Sequence, residues 1–178
     1  MYNKRWMRLM RVVTPAFRHG ARMLLTLSAS MIMPLFQLHG QSAGAHPETI
    51  RYDEAARTFR IDAADVSYVI GINQNQQLQT LYWGKRLRPG DTLPSAHADR
   101  GSSAFDLSVS ATPQEFTGWG GGLVVVPDLK ISFPDGNRDL VLHYQSYTIR
   151  NNTLTISLKD ISRDVVVDLL YQIGRAHV

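Results

Sequence analysis

The sequence predicts an all-β protein, an antiparallel β-sandwich, from three features of the chain beyond His46. Apolar residues recur there at every second position, turn-forming clusters of Gly, Pro, Asn and Asp interrupt them at a spacing of roughly 8–12 residues, and no segment holds a helical period over a helical length. Ahead of His46 the pattern differs, and that segment reads as a leader.

Residues 1–45 contain six basic side chains (Lys4, Arg5, Arg8, Arg11, Arg18, Arg22) and no acidic one. The apolar run MLLTLSASMIMPLFQL, Met23 to Leu38, follows, and then small residues at Ala43, Gly44 and Ala45. This order of basic, apolar and small residues predicts a signal peptide with a helical middle, cleaved before His46, and hence an exported protein, periplasmic or extracellular. The alternative is a membrane anchor, but the run is shorter than the roughly 20 apolar residues of a span, and Pro34 and Gln37 interrupt it. No membrane association is expected after cleavage. The basic region is long enough for translation to start at Met7 or Met10.

Setting the leader aside changes the charge balance. Six of the 19 basic residues fall before His46, leaving 13 against 15 acidic ones, so the remaining domain is mildly acidic and nothing in it points to nucleic acid. There is no cysteine, so an exported domain of about 125 residues has to be stabilised by its core without disulfides.

The elements follow in order. TIRYD and RTFRID flank the turn-like EAA and form a hairpin, with Phe59 and Ile61 on one face and Thr58 and Arg60 on the other. VSYVIGI and LQTLYWG, joined by NQNQQ, form a second hairpin with Val66, Tyr68, Ile70 and Ile72 on one face and then Leu78, Leu81 and Tyr82. Residues 85–103, rich in Pro, Gly, Asp, His and Ser, read as a long loop of the kind that often carries function. AFDLSVSA is a predicted strand, TPQEFTGWGGG a loop, and DLKISFPDGNRDLVLHYQSYTIR two strands about a PDGN turn. NNTLTISLKDISRDVVVDLLYQ repeats that arrangement, and its last strand has no partner after it.

Few residues combine into chemistry. The six histidines are scattered without metal-ligand spacing, so no metal and no cofactor is expected. GWGGG lacks the Lys-Ser/Thr of a phosphate loop and reads as a bend between strands. Asp135, Asn137 and Asp139 lack the closing Glu of a calcium loop. Asn151 to Thr153 fits a glycosylation acceptor. Asp160, Asp164 and Asp168 fall at strand ends and on the polar face, which is a solvated position, and no catalytic constellation is complete. Trp83 and Trp119 flank loops, where an indole either stacks on a sugar or packs in the core.

VSYVIGINQNQQLQTLYWGKRL, ADRGSS, TPQEFTGWGGG, DLKISFPDGNRDLVLHYQSYTI and TLTISLKD, in that order, resemble the N-terminal β-sandwich of family 36 glycoside hydrolases, the microbial α-galactosidases. The likeness runs from about Thr49 to Tyr171, and its most specific pieces are Tyr82 to Lys85, Pro113 to Phe116 and the PDGN strand pair. The resemblance implies a supersandwich-like fold, an adjoining (β/α)₈ barrel and retaining hydrolysis of α-galactoside oligosaccharides such as raffinose or melibiose, through two barrel aspartates that this chain does not contain. It also implies that Asp99, with Arg100 beside it, binds substrate hydroxyls in a neighbouring subunit of a homo-oligomer. That loop is short here, however, and Leu123, Val124 and Val125 stand where the family has Asp-Phe-Arg. Asp99 is equally a loop-capping carboxylate. The substrate-binding candidates are therefore Asp99, Arg100, Trp83 and Trp119, with none catalytic and none for metal.

Ile173 to Val178 matches an in-frame translation of a common sequencing adapter. The expected organisation is thus a leader over 1–45, an incomplete sandwich over 46–172 and a tail over 173–178. The rival expectation is a complete carbohydrate-binding or adhesion sandwich without enzymatic activity.

Overall fold

The computed structural model describes residues 7–13, 48–103, 105, 107–123 and 126–173. Among the described residues, eight strands form two four-stranded antiparallel sheets. One sheet has the order β2 (Thr49–Asp53), β3 (Thr58–Asp62), β4 (Val66–Ile72), β5 (Leu78–Lys85), and the other the order β1 (Met7–Val13), β8 (Val166–Gln172), β7 (Thr153–Asp160), β6 (Leu142–Arg150). The alternation read from the sequence sets the inner faces. Phe59, Ile61, Tyr68, Ile70 and Ile72 from one sheet and Leu154, Ile156, Leu158, Val167, Leu169 and Tyr171 from the other meet in one core. Phe59 lies 5.1 Å, centroid to centroid, from Tyr147 of the facing sheet.

Two bulges adjust the period. Between β4 and β5 the register slips so that Val69 faces Tyr82 while Ile70 faces Thr80, leaving Leu81 as the extra residue. Tyr82 therefore pairs with Val69 on the outer face and Trp83 with the inner Tyr68, instead of Leu81 and Tyr82 following Leu78 inward. In β6 the extra residue is Gln145, so that Tyr144 and Tyr147, three apart, face Leu158 and Ile156 respectively.

Two segments after residue 103 differ from the sequence reading. The described part of AFDLSVSA, expected as a strand, is irregular and ends in a single helical turn, α1 (Ser108–Ala111), and residues 128–133 have no strand beyond the isolated Gly118–Leu129 bridge. The PDGN turn forms as expected, with Gly136 at φ +81° and the Asp135 carboxylate accepting from the Asn137 N–H at 3.0 Å. Asp135 is also gripped by Arg163 at 2.6 Å, and that hydrogen bond lowers its pKa from the ordinary carboxylate value.

The last strand does have a neighbour. Met7–Val13, within the segment read as a leader, pairs antiparallel with β8 over its whole length, from Met7 opposite Gln172 to Val13 opposite Val166. The apolar residues of MRLMRVV, two of them β-branched valines, suit a strand as well as a basic leader, and β8 presents it with an open edge of backbone groups. The apolar run Met23–Leu38, expected as the leader helix, lies outside the described residues, as do residues 174–178. Ile173 is buried at the end of β8. No helix among the described residues is long and apolar enough to cross a membrane.

Candidate carbohydrate-facing site

Trp83 is turned to the side of Tyr68 by the Leu81 bulge. It sits on the inner side of β5 at the end of the sandwich, 58% exposed, with its indole edge-on to Tyr68 at 4.9 Å and 69°. The Tyr82 hydroxyl donates to the Lys85 carbonyl at 2.8 Å, so the Tyr-Trp-Gly-Lys stretch closes on itself.

From Lys85 the chain does not loop away. Residues 86–98 lie back across the outer face of their own sheet as a strap. Arg60 and Ser67 hold it at the 87–88 end: the Arg60 guanidinium donates to the carbonyls of Leu87 (2.5 Å) and Arg88 (3.3 Å), and the Leu87 N–H donates to Ser67 Oγ at 2.9 Å. Beneath the strap, Asp62 is 2% exposed, accepting at both carboxylate oxygens from Arg60 Nε at 2.9 Å and also from the Ser67 hydroxyl. Burial alone would raise its pKa. The hydrogen bonds of Arg60 and Ser67 and the charges of Arg60 and Arg86 outweigh that and lower it.

Asp99 and Arg100 end the strap. The Asp99 N–H donates to Thr112 Oγ1 at 2.8 Å, and the preceding Ala98 N–H donates to Gln74 Oε1 at 3.1 Å. The Asp99 carboxylate lies 3.0 Å from His97 Nε2, and Arg100 is exposed. The pair is at the surface, as a substrate contact requires, but the carboxylate also has a local partner, as the capping reading requires.

Trp119 stands apart from these. The bend that carries it is stitched by its N–H to the Leu129 carbonyl (3.0 Å) and by the Leu140 N–H to its carbonyl (2.7 Å). Its ring, 44% exposed, carries Lys130 Nζ at 5.1 Å from the centroid and helps line a cleft of about 360 Å³ with Ile131, Ser132 and Arg138. Clefts of about 750 and 240 Å³ open on the outer face of the β2–β5 sheet, and Trp83, Asp99 and Arg100 line none of the three. Among the described residues, the four candidates share none of these three clefts.

The buried carboxylates are occupied structurally. Glu115, in the Pro-Gln-Glu-Phe stretch, accepts from the hydroxyls of Tyr68, Thr80 and Tyr171, the last at 2.8 Å, and so joins β4 and β5 to β8 of the opposite sheet. Asp160, expected on the solvated face, is only 4% exposed. It caps the β7–β8 turn by accepting from the N–H groups of Ser162 (3.1 Å) and Arg163 (2.7 Å), and from Val141 N–H at 2.7 Å. No group of metal-ligating side chains forms among the described residues. Sequence reasoning missed these centres because the strap over Asp62 is brought there from residues 87–88 through Arg60, although Arg60 and Ser67 are near neighbours of Asp62 in sequence, and because Glu115 gathers hydroxyls from three distant positions. The local signal was the Arg60–Asp62 pair, two apart in β3; Glu115 lies outside the strands and carried none.

A family model described as the glycosyl hydrolase family 36 N-terminal domain matches residues 76–177. The chain belongs to this family. Alpha-galactosidase Mel36A of Lactobacillus acidophilus is 26% identical over 153 residues, an alignment covering 71% of this chain and 21% of that protein. Among solved structures, the family 36 α-galactosidase AgaB of Geobacillus stearothermophilus superposes with a TM-score of 0.58 at 23% identity, covering 71% of this chain and 21% of the enzyme. The α-galactosidase of Lactobacillus brevis gives 0.55 at 20%, covering 70% and 20%. These two likenesses show the fold. The chain spans about a fifth of the length of the relatives it matches. All three of the most specific pieces of the resemblance lie inside the matched span, and Tyr82 to Lys85 and Pro113 to Phe116 are built into the sandwich, the first through the Tyr82–Lys85 bond and the second through Glu115 and the buried Phe116.

Proposed function

We propose that this chain is the non-catalytic N-terminal sandwich of an exported α-galactosidase, and that the intact protein releases terminal α-galactose from raffinose- or melibiose-type oligosaccharides through aspartates outside this sequence. The observation that carries the reading is the family 36 N-terminal domain match, together with a relative named as an α-galactosidase of which this chain covers only a fifth. It is supported by the carboxylates described above: Asp62, Glu115 and Asp160 are all buried and hydrogen-bonded to protein groups, which leaves them unsuited to retaining hydrolysis, where two carboxyl groups face each other across a sugar. The test is turnover of p-nitrophenyl α-galactoside. The chain alone is expected to give none, and measurable turnover would overturn the assignment of chemistry to another part of the protein. Reading the genomic DNA beyond codon 172 tests the same point, since a continuing frame with barrel-like βα repeats is expected.

In this reading Asp99 and Arg100 contact substrate in a neighbouring subunit. Asp99→Ala in the intact enzyme is then expected to raise KM for raffinose while leaving the melting temperature unchanged. A second reading, a sugar-binding sandwich without enzymatic activity, draws support from the exposed indoles of Trp83 and Trp119. It requires quenching of tryptophan fluorescence by oligosaccharide in this chain, lost in Trp83→Ala or Trp119→Ala.

A further inference from the structure

The cleft of about 750 Å³ between the outer face of β2–β3 and the 85–89 part of the strap is lined by five cationic side chains, Arg51, Arg60, Lys85, Arg86 and Arg88. The segment after residue 45 has only 13 basic residues against 15 acidic, so a large share of its positive charge faces one cavity. Two carboxylates, Asp62 and Asp65, share the lining, but Asp62 already accepts from Arg60 at both oxygens. Arg51, half-exposed, comes only to 4.0 Å of that same carboxylate, while Lys85 and Arg88 form no ion pair among the described residues. The arrangement is held in place before any ligand arrives, because Arg60 fixes the carbonyls of Leu87 and Arg88 and the Arg86 guanidinium donates to the Ala63 carbonyl. In the adjoining 240 Å³ cleft the carboxylates of Asp53 and Asp91 accept from the backbone N–H groups of Ala56 and Arg88, and their charge bounds the positive region on that side.

We propose that this cleft is an oxyanion-binding site, taking a phosphate or sulfate group borne on a small molecule. Its volume lies in the range of small-ligand sites, and Leu87, Pro89 and Ala64 add an apolar wall for the body that carries the anion. Arg51, Lys85 and Arg88 supply the charge at the mouth, and a doubly charged tetrahedral anion can be met by several of their N–H groups at once.

The full-length chain, labelled with ¹⁵N, would be titrated with inorganic phosphate, with galactose 6-phosphate and with galactose, ionic strength being held constant with potassium chloride. The expected result is saturable movement of the amide resonances of residues 85–89 with both phosphates and none with galactose or chloride, and tighter binding of the sugar phosphate. The double variant Lys85→Gln, Arg88→Gln changes two exposed side chains and should retain the wild-type spectrum elsewhere while weakening binding by about tenfold or more. Arg150→Gln, which removes an exposed charge from the opposite sheet, should bind as the wild type does. Movement that never saturates, that chloride reproduces, or that keeps its midpoint in the double variant would overturn the proposal. Equal affinity for inorganic phosphate and the sugar phosphate would overturn the small-molecule part and leave a site for the free anion.

Discussion

Asp62→Asn is the sharpest test of the strap. The substitution keeps the shape of the side chain and an oxygen for Ser67, but removes the charge opposite Arg60, a residue whose side chain is only 11% exposed. Removing one partner of a buried ion pair costs about 3–5 kcal/mol. Arg60 keeps its two carbonyl acceptors at residues 87 and 88, which places the expected loss lower, at about 2–3 kcal/mol. For a domain of this size that corresponds to a melting temperature about 6–12 °C lower, read by circular dichroism. The pH dependence has a definite sign. The folded-state pKa of Asp62 is lowered, so its contribution is complete above the unfolded-state value near 3.9 and fades as pH falls through the lower folded-state value. The stability gap between wild type and variant should therefore be full at neutral pH and close in strong acid. A loss below about 0.5 kcal/mol at neutral pH would refute the reasoning, since it lies within the range of ordinary surface substitutions. So would a gap that does not shrink as pH falls below the unfolded-state value.

Glu115→Leu removes the acceptor of three hydroxyls and the link between the sheets, and should cost about 2–4 kcal/mol in urea unfolding, with Glu115→Gln costing less because its amide oxygen still accepts. Gly136→Ala should cost only about 1 kcal/mol, for a φ of +81° with nothing within 4 Å of the new methyl, whereas Gly120→Ala should cost more, because its methyl would sit 2.7 Å from the Leu140 nitrogen. Equal melting temperatures for these two glycine variants would contradict that account. A chain lacking residues 1–45 loses β1 and exposes the outer edge of β8, so it should self-associate with rising concentration in size-exclusion chromatography with light scattering. A monomer at every concentration would show that this edge needs no neighbour.

Much of the fold was legible because strand alternation is a local property. Phe59 and Ile61 point inward as their spacing requires, and both hairpins before residue 85 and the β7–β8 hairpin form where the turns place them. The positive φ values at Asn151 and Asn152 show why that pair makes a turn. The bulges at Leu81 and Gln145 were not legible, because they follow from the fit of one strand against another, and Trp83 changes face as a result. Asp99, Arg100, Trp83 and Trp119 each lie at the surface or near it, yet they share none of the three clefts.

The sequence alone determined the sheet-forming segments, the turn chemistry and the resemblance to family 36, since each rests on residue types at short spacing. Only the tertiary structure decided what the long-range pairings are: Arg60 with the carbonyls of Leu87 and Arg88 in the strap, Glu115 with Tyr171 across the core, and Met7–Val13 along the edge of β8. The physical reason is that a buried carboxylate and an open strand edge both require partners, whereas which distant residues supply them depends on how the sheets are stacked.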